Sequence, residues 1–183
     1  MTRLLLVGIG ILCLNSFAGA TLVVLADGSR VPIVDVAVGD SVAAFDTATG
    51  DVVSGPVTGV LSHTDSLVDV VLSDGSTLSM TGDHSVYDTL SGSWRPVSEF
   101  ESDGALLGLS GGTLTVTGFD EASGADAAAW DLSVGGVHNF FVAADATAEP
   151  VLVHNASDFC ALPITLAQFK TLADITDPVE AAA

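Results

Sequence analysis

Hydrophobic and polar positions divide the chain into three unequal parts. Leu4 to Leu14 is an apolar run (LLLVGIGILCL) behind the short positive start Met1-Thr2-Arg3, and the small residues Ala18-Gly19-Ala20 follow it. A secretory signal peptide has this layout, and the run is shorter than a membrane-spanning helix needs. From Thr21 the pattern changes to short apolar stretches rich in β-branched residues. Thr21 to Leu25, Ser41 to Phe45, Val57 to Leu61, Leu67 to Leu72 and Thr77 to Met80 read as strands. Ala105 to Leu109, Thr113 to Thr117, Trp130 to Val134, Asn139 to Val142 and Pro150 to Val153 continue the series. Turn signals separate them: Ala26-Asp27-Gly28-Ser29, Asp46 to Gly50, and Ser73-Asp74-Gly75 as a hairpin turn. Many short strands between Gly and Asp turns predict an all-β domain. Ala125 to Ala129 is Ala-rich but too short for a helix. After Asn155 the character shifts again. Residues 156–183 predict a short helix over Leu166 to Ile175 with an acidic, Ala-rich end, an appendage to the β core.

A weak internal repeat runs through the β region. Pro32-Ile33-Val34-Asp35-Val36 matches Pro96-Val97-Ser98-Glu99-Phe100 in type and spacing. Val42 and Leu106 each lie ten residues beyond their proline, after Gly39-Asp40 and Asp103-Gly104. Two related halves predict a fold with pseudo-twofold symmetry.

Composition narrows the function classes. Of 183 residues, 23 are acidic and four basic, for a net charge of −19. Arg3, Arg30, Arg95 and Lys170 form no basic cluster, which argues against nucleic acid as a partner and against anionic membrane surfaces. With 49% hydrophobic residues and a mean hydropathy of +0.58, the chain can bury a core, and its length suits one monomeric domain with short flanks. Acid excess with a single Lys fits a protein that works in high salt; solubility through like charge is the plainer reading. Two cysteines, Cys13 and Cys160, make neither a disulfide framework nor a metal site. Of the four histidines, His63, His84, His138 and His154, no pair has the helical spacing of a zinc site, so no metal or cofactor is expected.

Three segments carry candidate chemistry. Ser16-Phe17 opens the first, Thr81-Gly82-Asp83-His84 closes the second, and the third runs from Trp130-Asp131 through Val137-His138-Asn139 to His154-Asn155. Together they resemble the Hint (hedgehog/intein) family, in its intein and bacterial-intein-like branch. Ser16-Phe17 is similar to the first block, Thr81-x-x-His84 to the second, Asp131 and His138 to the acidic and His positions of a later block, and His154-Asn155 to the penultimate His and terminal Asn. The resemblance covers Ser16 to Asn155, leaving 1–15 and 156–183 as flanks, and implies a horseshoe of short strands without an endonuclease insert.

The resemblance also implies self-processing, with the flanking segments as the domain's own substrate. Ser16 Oγ would attack the Asn15 carbonyl and convert the amide to an ester. His84 would protonate the leaving nitrogen, since an imidazole titrates near neutral pH. Thr81 would orient the bond or hydrogen-bond the oxyanion. The Asn155 side-chain amide would attack its own carbonyl and break the Asn155–Ala156 bond, with His154 and His138 polarising that carbonyl and moving protons. Asp131 would activate or restrain the Ser16 end. His63 has no role in this pattern and reads as structural.

Two departures matter. An alcohol at position 16 is a poorer nucleophile than the family's commoner thiol. Ala156 offers no nucleophile to complete splicing, so the implied outcome is bond cleavage at one or both ends. Each residue also has a bland reading: Ser16 as part of a signal-peptide cleavage region, Thr81-x-x-His84 as a turn, Asp131 as an edge charge, His138 as a core histidine, His154-Asn155 as a loop. The alternative function is a secreted acidic β domain that binds a partner and keeps a degenerate Hint fold. Cleavage after Ala20 would imply secretion or membrane association; without it the domain would be cytoplasmic. Cys13, three residues before Ser16, is an alternative nucleophile.

Overall fold

The computed structural model of the protein describes residues 15–100, 104–121 and 127–155. The signal-like run with Cys13 and the helix expected at 166–175 lie outside the described residues. Fourteen strands occur among those residues. They are β1 (Phe17–Ala18), β2 (Leu22–Val24), β3 (Arg30–Pro32), β4 (Ser41–Asp46), β5 (Asp51–Asp65), β6 (Val68–Leu72), β7 (Thr77–Met80), β8 (Ser85–Asp88), β9 (Ser93–Pro96), β10 (Ala105–Leu107), β11 (Thr113–Glu121), β12 (Ala127–Val134), β13 (Asn139–Ala143) and β14 (Val151–His154). Neighbours pair antiparallel in the order β3-β2-β13-β14-β8-β10-β11-β6-β7-β1-β12-β5-β4, with β9 on β8. The domain is all-β, as the pattern of short apolar stretches predicts.

The largest departure from the sequence pattern is β5. The sequence pattern predicts a strand there only over Val57 to Leu61. In the fold the strand runs fifteen residues, because its first half pairs with β4 and its second half with β12. Pro56 sits at the end of the β4 ladder, opposite Ser41, where its missing N–H costs little. Gly55 is required by close approach: a Cβ there would lie 2.5 Å from Val134 Cγ1. Strands β8 and β9 were not foreseen; their polar ends, Ser85, Asp88 and Ser93, hide the pairing.

The internal repeat has a structural counterpart. Each proline begins a 3-10 turn, Ile33–Asp35 and Val97–Glu99, with φ −55° and ψ 140° or 136° at Pro32 and Pro96. Ile33, Val97, Val42 and Leu106 are each fully buried. Repeated spacing thus places equivalent residues of the two halves in one core. That core also takes Phe17 and Phe140, whose rings meet edge to face at 6.2 Å. Burying each such side chain stabilises the fold by about 1.5–3 kcal/mol. Short as it is, β1 is therefore central. It pairs Phe17 with Met80 on one side and Trp130 on the other. A processing cut after Ala20 would remove this strand.

Candidate active site

Both ends of the domain's core are buried. Ser16 precedes β1 and is fully buried, and Asn155, which follows β14, is 2% exposed. Thr81 grips the Ser16 backbone from β7's end: its N–H donates to the Ser16 carbonyl (2.9 Å), and its Oγ1 accepts from the Ser16 N–H (3.2 Å). The second contact falls on the nitrogen of the Asn15–Ser16 bond. On the other side of β1, Phe17 pairs with Trp130 and Ala18 with Ala129. One further step in that register sets Asp131, itself buried, across from Ser16.

His84 lies under this junction. Its backbone N–H donates to the Thr81 carbonyl (3.1 Å) and its carbonyl accepts from the Val97 N–H (2.8 Å), so the turn fixes the ring against Phe17 at 4.1 Å. The side chain is fully buried, and among the described residues neither ring nitrogen makes a hydrogen bond of good geometry. Burial, with the neighbouring His154 adding to it, lowers the His84 pKa to about 3, although backbone groups of His154 and Ser16 favour the charged ring. The expectation that this imidazole titrates near neutral pH is therefore overturned. It is neutral at pH 7 because its surroundings cannot solvate a cation.

The C-terminal junction is built by the β13–β14 hairpin, whose register sets Asn139 opposite His154. The Asn155 N–H donates to the His138 carbonyl at 3.0 Å, and Nδ2 reaches the Val134 carbonyl at 3.5 Å. His154 Nδ1 stands 2.5 Å from the Asn155 carbonyl oxygen, and its ring packs edge to face on Trp94 at 4.8 Å. His138 has φ 56°, the one described non-glycine residue in the left-handed region. Such a conformation costs on the order of 1 kcal/mol and persists only where its surroundings impose it. Asn139 imposes it here. The buried Asn139 amide accepts from the Phe45 N–H (2.7 Å) and donates to the carbonyls of Phe45 (2.8 Å) and Val137 (3.0 Å).

All seven residues singled out in the sequence thus lie at or beside these two junctions, joined by His84. Four further residues stand beside these junctions: Asp65 and Trp94, which the sequence does not single out, and His63 and Asn139, to which it assigns no chemistry. His63, read from the sequence as structural, stands beside Ser16. Its Nε2 lies 3.4 Å from Ser16 Oγ and 3.2 Å from Asp65 Oδ2. The only signal was the His63-x-Asp65 spacing, which puts both side chains on one face of a strand. Among the described residues no group of three or more His, Cys, Asp and Glu is placed to hold a metal ion.

An antiparallel β fold with both termini of its core at one buried His/Ser/Thr/Asn cluster defines an intein-like Hint domain. A pretoxin Hint domain family model matches residues 22–156, and the chain belongs to that family. The match begins just past Ser16 and Phe17. Among solved structures, the chain is similar to a bacterial intein-like domain from Clostridium thermocellum (24% identity, TM-score 0.67, 78% of this chain and 99% of that one). It is also similar to a DnaB intein from Synechocystis sp. PCC 6803 (22%, 0.65, 77% and 98%) and to an intein from a hyperthermophile (17%, 0.61, 77% and 99%). At these identities the likeness is one of fold. No curated protein matches the chain.

Proposed function

We propose that this domain cleaves its own backbone, chiefly at Asn155–Ala156, and converts the Asn15–Ser16 amide to an ester. The observation that carries the first step is His154 Nδ1 at 2.5 Å from the Asn155 carbonyl oxygen. Protonated at Nδ1, the ring donates to that oxygen and makes the carbonyl carbon more electrophilic. Asn155 Nδ2 then attacks the carbon, a C–N bond forms in a five-membered succinimide, and the Asn155–Ala156 C–N bond breaks. One Nδ2 proton is lost and the departing Ala156 nitrogen gains one. The hydrogen bonds from Asn155 to His138 and Val134 hold the reacting residue, so the chain pays little entropy at the moment of attack.

At the other end, Ser16 Oγ adds to the Asn15 carbonyl carbon and the amide nitrogen leaves as the Ser16 α-amine. Amide resonance opposes this, and Thr81 fixes the direction of the scissile N–H. His84 supports the departure of that nitrogen. An imidazole held at about 3 is a weak base, and once protonated it is a strong acid that returns the proton readily. With Ala at 156 no transesterification follows, so cleavage and not splicing is the outcome. A pretoxin family name fits release of a segment downstream of Asn155.

Mass spectrometry of the purified chain tests this. The expected product ends in succinimide or Asn at 155, and Asn155→Ala abolishes it. A chain that stays intact through long incubation across pH and salt refutes the proposal.

A further inference from the structure

We propose that His63 is the general base that takes the proton from Ser16 Oγ, with Asp65 as the counter-ion of the imidazolium so formed. This rests on the reading of Ser16 as the attacking residue. The sheet explains how a histidine two strands away reaches it. Ala18 on β1 pairs with Ala129 on β12, and Ala129 pairs with His63 on β5. Side chains alternate along each strand, so Ser16, Ala129, Asp131, His63 and Asp65 fall on one face. Ala129 is the smallest chiral side chain available between β1 and β5. It lets the His63 ring lean across β12 until Nε2 is 3.4 Å from Ser16 Oγ.

Both polar partners of the ring meet the same nitrogen. Asp65 Oδ2 is 3.2 Å from Nε2, while Nδ1 is buried and makes no hydrogen bond among the described residues. This differs from a relay in which the acid holds the far nitrogen. Here the two contacts act in succession. With its proton on Nδ1, the ring offers the Nε2 lone pair to Ser16 Oγ–H. When the proton crosses to Nε2, the new N–H has the Asp65 carboxylate beside it, and a salt bridge replaces a contact between that carboxylate and a neutral ring. The oxygen forms its bond to the Asn15 carbonyl carbon, the C–N bond breaks, and the proton ends on the Ser16 nitrogen. Atoms and charge balance: ester and amine replace amide and alcohol, with no co-reactant. His84 is the other imidazole at the junction, but it is fully buried and a weak base, while the His63 side chain keeps 17% of its surface in solvent.

The test uses the full chain and hydroxylamine, which captures an ester as the hydroxamate at Asn15. His63→Gln and Asp65→Asn are each made with Ser16 and with Ser16→Cys. A thiol ionises near pH 8.5 by itself and needs a base far less than an alcohol does. Expected are a loss of at least about 100-fold in hydroxamate formation for His63→Gln with Ser16, and under about tenfold with Ser16→Cys. Asp65→Asn gives a smaller loss with the same dependence on the nucleophile. Equal losses with both nucleophiles would mean that His63 only supports the fold, and would overturn the proposal, as would an unchanged rate in His63→Gln. Loss in Asp131→Asn with His63→Gln unaffected would move the base to Asp131 and overturn it too. If the parent chain forms no hydroxamate at all, the reading of Ser16 fails first, and this inference with it.

Discussion

Acid weakens this fold in a pH window that a single side chain, His84, creates. Unfolded, its imidazole titrates near 6.5; folded, it is held at about 3. Between those values the unfolded chain binds a proton that the folded chain refuses. Stability therefore rises with pH through this range and falls as pH drops below about 6.5. Each unit below 6.5 removes about 1.4 kcal/mol, so pH 5 costs about 2 kcal/mol. That is a sizeable share of a typical stability of about 5–15 kcal/mol. The carboxylates of Asp27, Asp74, Asp88 and Asp145 act in a different window. Burial opposes ionisation of Asp74 and Asp88, but hydrogen bonds from neighbours outweigh it there, and hydrogen bonds act likewise at Asp27 and Asp145, so all four pKa values lie below 3.8; their stabilisation is full above pH 5 and is lost only in stronger acid. The assay is urea unfolding at pH 7.5, 6.5, 5.5 and 5 in a Ser16→Ala/Asn155→Ala background, which keeps the backbone intact. His84→Gln in the same background removes the titrating group. Expected is a pH slope between 6.5 and 5 that is steeper with His84 than with Gln by about 1.4 kcal/mol per unit. Equal slopes would refute the account, because the ring would then carry the same proton folded and unfolded.

Two further outcomes follow from the geometry. Asn139→Ala deletes three half-buried hydrogen bonds to Phe45 and Val137, and should cost about 2–4 kcal/mol in urea unfolding. By freeing His138 from its left-handed conformation it should also slow Asn155–Ala156 cleavage, and normal cleavage kinetics at full folding would contradict the positioning role. Raising NaCl from 0.1 M to 1 M shortens the screening length from about 10 Å to about 3 Å. With a net charge of −19 the melting temperature should rise by several degrees, and a flat or falling value would argue against surface self-repulsion as a limit on stability.

The class of the fold and the family were legible in the amino-acid sequence alone. Alternating apolar stretches between Gly and Asp turns are local properties, and β6, β7, β13 and β14 appear within a residue or two of where they read. The Pro32 and Pro96 repeat was legible for the same reason: proline fixes φ and starts a turn of one kind wherever it stands. Tertiary structure decided what depends on neighbours remote in the chain. Strand β5 passes through Gly55 and Pro56 because different partners take its two halves, and no local signal records a change of partner. His84 kept its place beside Ser16, but its charge state came from burial under Phe17, which residue type cannot convey. His63 reaches Ser16 only because β12 puts an alanine between them. Two pairings through β12 bring together residues 47 apart in sequence, and the sequence carries no mark of it except His63-x-Asp65.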